Sequence, residues 1–302
     1  MPSEFKVAII GLDTSHCTEF PRLMQDPATS PENRVNGLRA VSCLRFETPF
    51  QNREGLDKRQ EYLESIGVKV TENFDEAICG CDAVMLEIND PSLHLEYFEK
   101  CAALKKPLFL DKPFADSVEN MQKMIRIARE NQTRFFTSSS LRFDADLRSG
   151  LAGFPQVHKA LVWGPIGKAA AGSDILWYGC HSFEMLQKIM GQGAGNVTGF
   201  QEGNSYIFQI GFPDGRRGTV ELTPGSPFGA LLRDKDHRCQ LINVTGKIPF
   251  YRMLLQEIAD FFNGKEPVAL ADSVEVMLMM EAAEKSLASG RTEKIICQAG
   301  NC

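Results

Sequence analysis

The sequence has no surplus of positive charge. Its 302 residues include 33 Lys and Arg against 39 Asp and Glu, a formal net charge of −6. Nucleic acid and anionic membranes are therefore not expected as partners. No apolar run reaches the roughly 20 residues that cross a bilayer. The start, Met1-Pro2-Ser3-Glu4, lacks a secretory-leader pattern. The nine cysteines include only one close pair, Cys79 and Cys81, and no His or Cys cluster accompanies it at zinc spacing. No metal site is expected. The odd count and the missing leader point to reduced thiols in a cytoplasm. Internal repeats and low-complexity tracts are absent too.

What is present is an ordinary globular composition, 43% hydrophobic and 24% charged, on a chain long enough to split into two domains. The first half alternates strand-like and helix-like segments. Phe5 to Gly11 is a β-branched run ending in glycine, and Leu38–Leu44, Val68–Val70, Ala83–Ile88, Leu108–Leu110 and Arg134–Thr137 follow it. Strands alternating with helices of this length predict βαβ units and a parallel sheet. In such a sheet, ligands sit beyond the carboxyl ends of the strands. Asp111, Lys112 and Pro113 stand at one such end. Pro113 keeps Lys112 out of the helical region and presents it stiffly. A lysine so placed can donate a proton or clamp a negative charge.

The turn after the first strand reads Gly11-Leu12-Asp13-Thr14-Ser15-His16. A dinucleotide fold puts G-x-G-x-x-G here, but only the first glycine is present. Asp13 is expected to cap the first helix and to compete with a pyrophosphate for its N–H groups. Thr14 and Ser15 keep hydroxyl donors nearby. Arg45 ends the second strand, where it can meet a 2′-phosphate, which tilts the expectation toward NADP. Asn89-Asp90-Pro91 follows the fourth strand, with Asp90 as helix cap and Pro91 in the first turn.

After about residue 140 strands follow strands: Val157–Trp163, Val197–Phe200, Ser205–Phe212, Gly218–Leu222 and Arg238–Val244. Pro213-Asp214-Gly215 is a hairpin signal between two of them. An α+β domain with a mainly antiparallel sheet is predicted. One helix, Trp177 to Leu186, places His181 and Glu184 on one face. Two long helices, Phe250–Phe262 and Asp272–Ser289, close the chain, and the Met277, Met279 and Met280 stripe reads as core. The expected fold class is thus α/β, a Rossmann-type parallel sheet over 1–140 followed by an α+β substrate and oligomerisation domain over 141–302.

This layout resembles the Gfo/Idh/MocA family of NAD(P)-dependent oxidoreductases over nearly the whole chain. Asp111-Lys112-Pro113 is similar to that family's Glu-Lys-Pro, Asp90-Pro91-Ser92-Leu93-His94 to its Pro-x-x-x-His, and Gly179-Cys180-His181 with Glu184 to its D-x-G-x-H-x-x-D. Leu141-Arg142-Phe143-Asp144 resembles the segment leading into its second domain. The resemblance implies a catalytic set of Lys112, His181 and Glu184. It implies a cofactor-binding set of Gly11, Asp13, Thr14, Ser15, His16, Arg45, Asn89, Pro91, His94, Asp111, Lys112 and Pro113, with NAD or NADP as cofactor. Trp177 departs from the pattern where the family has an aspartate, and Asp13 and His16 break the glycine fingerprint.

Hydride transfer from a carbinol needs a base for the hydroxyl proton and a cation for the developing alkoxide. A first-domain lysine and a second-domain histidine can bracket one substrate. The expected function is therefore an oxidoreductase acting on a sugar, polyol or related hydroxylated small molecule, as a homo-oligomer, a dimer or tetramer. The alternative is a non-catalytic or regulatory ligand-binding protein on the same fold with weakened cofactor binding.

Overall fold

The computed structural model describes residues 4–154 and 156–296. The chain forms two compact units. One contains the residues up to Thr137 together with Tyr251–Val268; the other contains Ser138–Phe250 and the residues from Ala269 onward.

In the first unit, strands β1 (Phe5–Ile10), β2 (Leu38–Leu44), β3 (Lys69–Thr71), β4 (Ala83–Leu86), β5 (Leu108–Leu110) and β6 (Phe135–Thr137) form one sheet in the order β3-β2-β1-β4-β5-β6. Every pairing is parallel. This is the doubly wound order, which reverses between β1 and β4 and opens a ligand crevice at their carboxyl ends. All residues of β4 and β5 are buried, which is why these strands read as continuous apolar runs rather than alternating ones. The connecting helices are α1 (His16–Gln25), α2 (Arg53–Ser65), α3 (Phe74–Ile78), α4 (His94–Ala102) and α5 (Val118–Asn131).

Helix α5 follows from its sequence in detail. The Ser117 side chain accepts from the Asn120 N–H at its start, and Val118, Met121, Met124, Ile125 and Ala128 are its buried stripe. Asp90 likewise accepts from Ser92 N–H, ahead of a short 3-10 turn at Pro91–Leu93 that leads into α4. Strand β4 stops at Leu86, two residues before the end of the apolar run, although the Glu87 N–H still donates to the Ile10 carbonyl at 2.8 Å. That early stop releases Glu87 and Ile88 from the strand at the crevice.

The second unit holds α6 (Ala145–Ala152), β7 (Lys159–Gly164), α7 (Cys180–Met190), β8 (Asn196–Glu202), β9 (Ser205–Gly211), β10 (Arg217–Leu222), β11 (Gly229–Arg233) and β12 (Cys239–Asn243). Helix α8 (Phe250–Phe262) leads back into the first unit, where Phe261 packs edge-on against Phe136. Helix α9 (Leu270–Ser289) and β13 (Glu293–Lys294) complete the second unit. Its sheet runs β12-β11-β7-β10-β9-β8-β13 and is antiparallel except for β7 against β10. Gly215, at φ +88°, makes the predicted turn between β9 and β10. Met277, Met279 and Met280 are buried, as core. Strands β11 and β13 and helix α6 were not expected. Their signals are short, and β11 begins at Gly229, a residue that weakens strand propensity. No helix among the described residues is long and apolar enough to cross a membrane.

Candidate functional site

The first unit brings its candidate residues to the carboxyl ends of β1, β4 and β5. Gly11, at φ +112°, turns the chain out of β1, and a Cβ there would overlap the Glu87 carbonyl. Only glycine satisfies both constraints. Thr14 Oγ1 accepts from the His16 N–H at 3.3 Å, and Ser15 is the residue ahead of α1 without making a side-chain cap bond.

The Asp13 carboxylate does not cap α1, contrary to expectation. It accepts from the Asn89 N–H at 2.8 Å and from the Thr48 hydroxyl at 2.8 Å. One side chain thus ties the loop after β1 to the loop after β2 and to the loop after β4. The reason is competition: two donors from neighbouring loops converge on Asp13 where the first turn of α1 would offer N–H groups alone. Burial pushes the Asp13 carboxyl above its ordinary range, while Asn89 and Thr48 oppose the shift. Phe46 and Tyr97 stack with centroids 4.6 Å apart, and Arg59 of α2 donates to the Leu12 carbonyl at 2.8 Å.

Three further titratable groups meet beneath this loop. His16 Nδ1 lies 2.6 Å from Asp111 Oδ2 and 3.7 Å from Glu87 Oε2. All three side chains are buried, Glu87 completely. Tyr251 of α8 packs edge-on against the imidazole, with ring centroids 4.7 Å apart. Burial pushes the Glu87 carboxyl far above its ordinary range, and the neighbouring Asp111 adds to the effect while Lys112 opposes it. Burial works against ionising Asp111 as well. Yet His16 and Lys112 together hold that carboxyl below its usual range. The other Asp111 oxygen, Oδ1, accepts from the Lys112 N–H at 2.8 Å. Lys112 itself is buried at the end of β5, and the peptide bond to Pro113 is cis.

His94 is fully buried. Its Nε2 is 2.8 Å from the Ile88 carbonyl and its Nδ1 is 3.3 Å from that of Phe114. It staples the loop after β4 to the loop after β5. Arg45 is held by Asp57 at 2.5 Å and Gln60 at 2.6 Å. It also lines a cavity of about 470 Å³ with Phe46, Glu47, Arg53 and Glu72.

In the second unit, His181 Nδ1 is 2.7 Å from the Ser139 hydroxyl, and the ring stands edge-on to Tyr178 and Phe228. Glu184 Oε2 accepts from Arg142 Nη1 at 3.2 Å, and Asp272 Oδ2 accepts from Arg142 Nη2 at 2.9 Å. Glu184 and Arg142 are both buried. Burial raises the Glu184 carboxyl, and the Arg142 charge opposes it. Through Arg142, Glu184 contacts the 3-10 turn Ser140–Phe143, which directly follows Ser139, the partner of His181.

Residues 50–139 match the model of an oxidoreductase family with an NAD-binding Rossmann fold. That match spans under a third of the chain. No curated protein matches the chain. Among solved structures, similarity extends over the full length. A putative NADPH-dependent oxidoreductase from Desulfitobacterium hafniense superposes with a TM-score of 0.78 at 17% identity, covering 98% of this chain and 99% of that one. Myo-inositol 2-dehydrogenase from Lactobacillus plantarum gives 0.77 at 13%, covering 97% and 100%. GenD2 of gentamicin A biosynthesis, solved with NAD, gives 0.78 at 14%, covering 98% of each. At these identities the likeness is one of fold.

Sequence reasoning overlooked Glu87, Thr48, Ser139 and Tyr251. Glu87 left one usable trace, an acid inside the apolar run Ala83–Ile88. A buried acid needs a partner, so it marks a site. Thr48, Ser139 and Tyr251 left no comparable trace, because their partners are 35, 42 and more than 200 positions away.

Proposed function

We propose that the protein is an NAD(P)-dependent oxidoreductase that moves a hydride between a nicotinamide and a carbinol carbon of a sugar, polyol or related hydroxylated small molecule. The observation that carries this reading is Lys112, buried at the end of β5 in a sheet of Rossmann order, with its backbone N–H fixed by Asp111. The family match over residues 50–139 supports the cofactor class. The inositol dehydrogenase among the similar folds supports the substrate class.

The residues present fit a dinucleotide in most respects. Gly11 allows a tight turn, Thr14 and Ser15 bring hydroxyls, and the start of α1 has no side-chain cap to displace. Asp13 is the discordant residue. Arg45 and Arg53 line the same cavity as Glu47 and Glu72, so charge there does not choose between NAD and NADP. When bound, the nicotinamide supplies or accepts the hydride.

The chain's own groups handle the proton and the charge. The Lys112 ammonium stabilises the alkoxide that develops as the hydroxyl proton leaves. Glu87 and Asp111 lie within electrostatic reach of that ammonium. Ser139 fixes the His181 ring through Nδ1, and the imidazole takes up or returns the hydroxyl proton. Glu184 is a positioning residue, acting through Arg142 and the turn that carries Ser139.

The test has two arms. Titration with NADH and NADPH, followed by nicotinamide fluorescence, should give saturable binding of at least one form. With a polyol found to turn over, Lys112→Ala should lose about 100-fold or more in rate while the fold stays intact. Turnover within a few-fold of the parent would remove Lys112 from the chemistry. A second reading, a ligand-binding protein that has lost its cofactor, is favoured by the Asp13 bridge to Asn89 and Thr48. Absence of binding by both nicotinamides would select it.

A further inference from the structure

Glu87 is the anomaly of the first unit. It is fully buried, and neither of its side-chain oxygens has a hydrogen-bond partner. A buried carboxylate without a partner is costly, and native proteins seldom keep one without a use. Its Oε2 faces His16 Nδ1, which in turn faces Asp111 Oδ2. One ligand atom from each of the three residues lies within 4.8 Å of the other two.

We propose that His16, Glu87 and Asp111 form a binding site for one divalent transition-metal cation, zinc foremost. The donor set is one imidazole nitrogen and two carboxylate oxygens, which suits Zn²⁺, Mn²⁺ or Co²⁺ and excludes thiolate-seeking ions. Ligands of a tetrahedral zinc stand roughly 3.3 Å apart, from bonds of about 2.0–2.1 Å. The His16–Glu87 separation of 3.7 Å is close to that spacing. The His16–Asp111 contact of 2.6 Å is a hydrogen bond and opens by roughly 0.7 Å as the metal displaces its proton.

The surroundings support the site. Metal-binding carboxylates are usually held by an outer hydrogen bond. Asp111 Oδ1 already accepts from the Lys112 N–H at 2.8 Å. The His16 ring is fixed by Phe20 at 5.4 Å and Tyr251 at 4.7 Å, centroid to centroid. The charges around Glu87 are Asp111 and Asp13 on the negative side and Lys112 on the positive side. The three ligands come from the first residue of α1, the residue after β4 and the residue after β5. They are 71 and 24 positions apart, so no spacing pattern reveals them.

The site does not depend on the oxidoreductase reading, and its test does not use turnover. The full-length protein is stripped with chelator and titrated calorimetrically with Zn²⁺, Mn²⁺ and Co²⁺ separately. Thermal melts and the Co²⁺ visible spectrum are recorded alongside. We expect one equivalent of at least one ion, a raised melting temperature, and a Co²⁺ spectrum free of thiolate charge-transfer bands. Outer-shell changes alone cost about 10–100-fold in affinity, so Glu87→Gln should cost on the order of 100-fold or more. His16→Asn, at a second ligand, decides the matter if the Gln variant fails to fold. Failure of all three ions to bind overturns the proposal. So does binding that both variants retain, since that metal would sit on other groups, such as the Cys79 and Cys81 thiols.

Discussion

The two units each bury a group of charges, and the groups differ in how completely they are satisfied. In the second unit, Arg142 joins Glu184 and Asp272 through separate guanidinium nitrogens, and Gln187 donates to Asp272 as well. Both carboxylates have a fixed cation. In the first unit, Asp111 has His16, but Glu87 has no hydrogen-bond partner for either oxygen. The first pattern belongs to architecture, where a planar guanidinium holds three elements in register. The second leaves a buried acid unsatisfied, a pattern that native proteins seldom keep without a use.

The sharpest way to break this contrast is to unpair the satisfied group. Arg142→Ala leaves Glu184 buried without its cation and should destabilise the protein by about 3–5 kcal/mol in urea unfolding. A loss below about 1 kcal/mol would mean that Glu184 simply takes up a proton and that the network holds little. Next comes the Asp13 bridge. Asp13→Asn keeps an acceptor for the Asn89 N–H but removes a charge that repels phosphate. At about 5 Å and an effective dielectric near 20, NADH binding should tighten by about 1–3 kcal/mol. Calorimetry giving equal or weaker affinity would show that this carboxylate does not face the phosphates.

A pH series sharpens the picture of Glu184. Its folded carboxyl titrates above its ordinary value because of burial, with Arg142 opposing. The folded state therefore holds its proton longer than the unfolded chain as pH rises. The stability from that proton is present below the unfolded pKa of about 4.3 and is lost as pH climbs through the folded value. Glu184→Gln should flatten the fall in melting temperature between about pH 4.3 and neutrality. A parallel fall in both proteins would assign it to another group. The smallest effect is expected at Glu87. In metal-free protein, Glu87→Gln breaks no existing hydrogen bond, so unfolding free energy should change by less than about 1 kcal/mol. A loss as large as that of Arg142→Ala would reveal a partner for Glu87 and erase the contrast between the units.

Legibility in the sequence followed the range of the interactions. Asp90 was readable as a cap because a cap bonds within three residues of itself. The parallel sheet was readable because strands buried on both faces must be apolar throughout. Lys112 was readable because Pro113 adjoins it. Asp13 was misread as a cap because its partners, Asn89 and Thr48, are 76 and 35 positions away. Glu184 shares a helix with His181 as the spacing predicted, but its partner Arg142 lies 42 positions back, beyond the reach of any local pattern.

By itself, then, the sequence determined the alternation of elements, the buried runs, the caps and the lysine held at a strand end. Each of these is set by near neighbours and by the period of a strand or helix. Only the tertiary structure decided where the charges of Asp13, Glu87, His16 and Glu184 point. A buried charge is governed by whichever partner the fold brings within about 3–4 Å, and here those partners arrive from loops dozens of residues away.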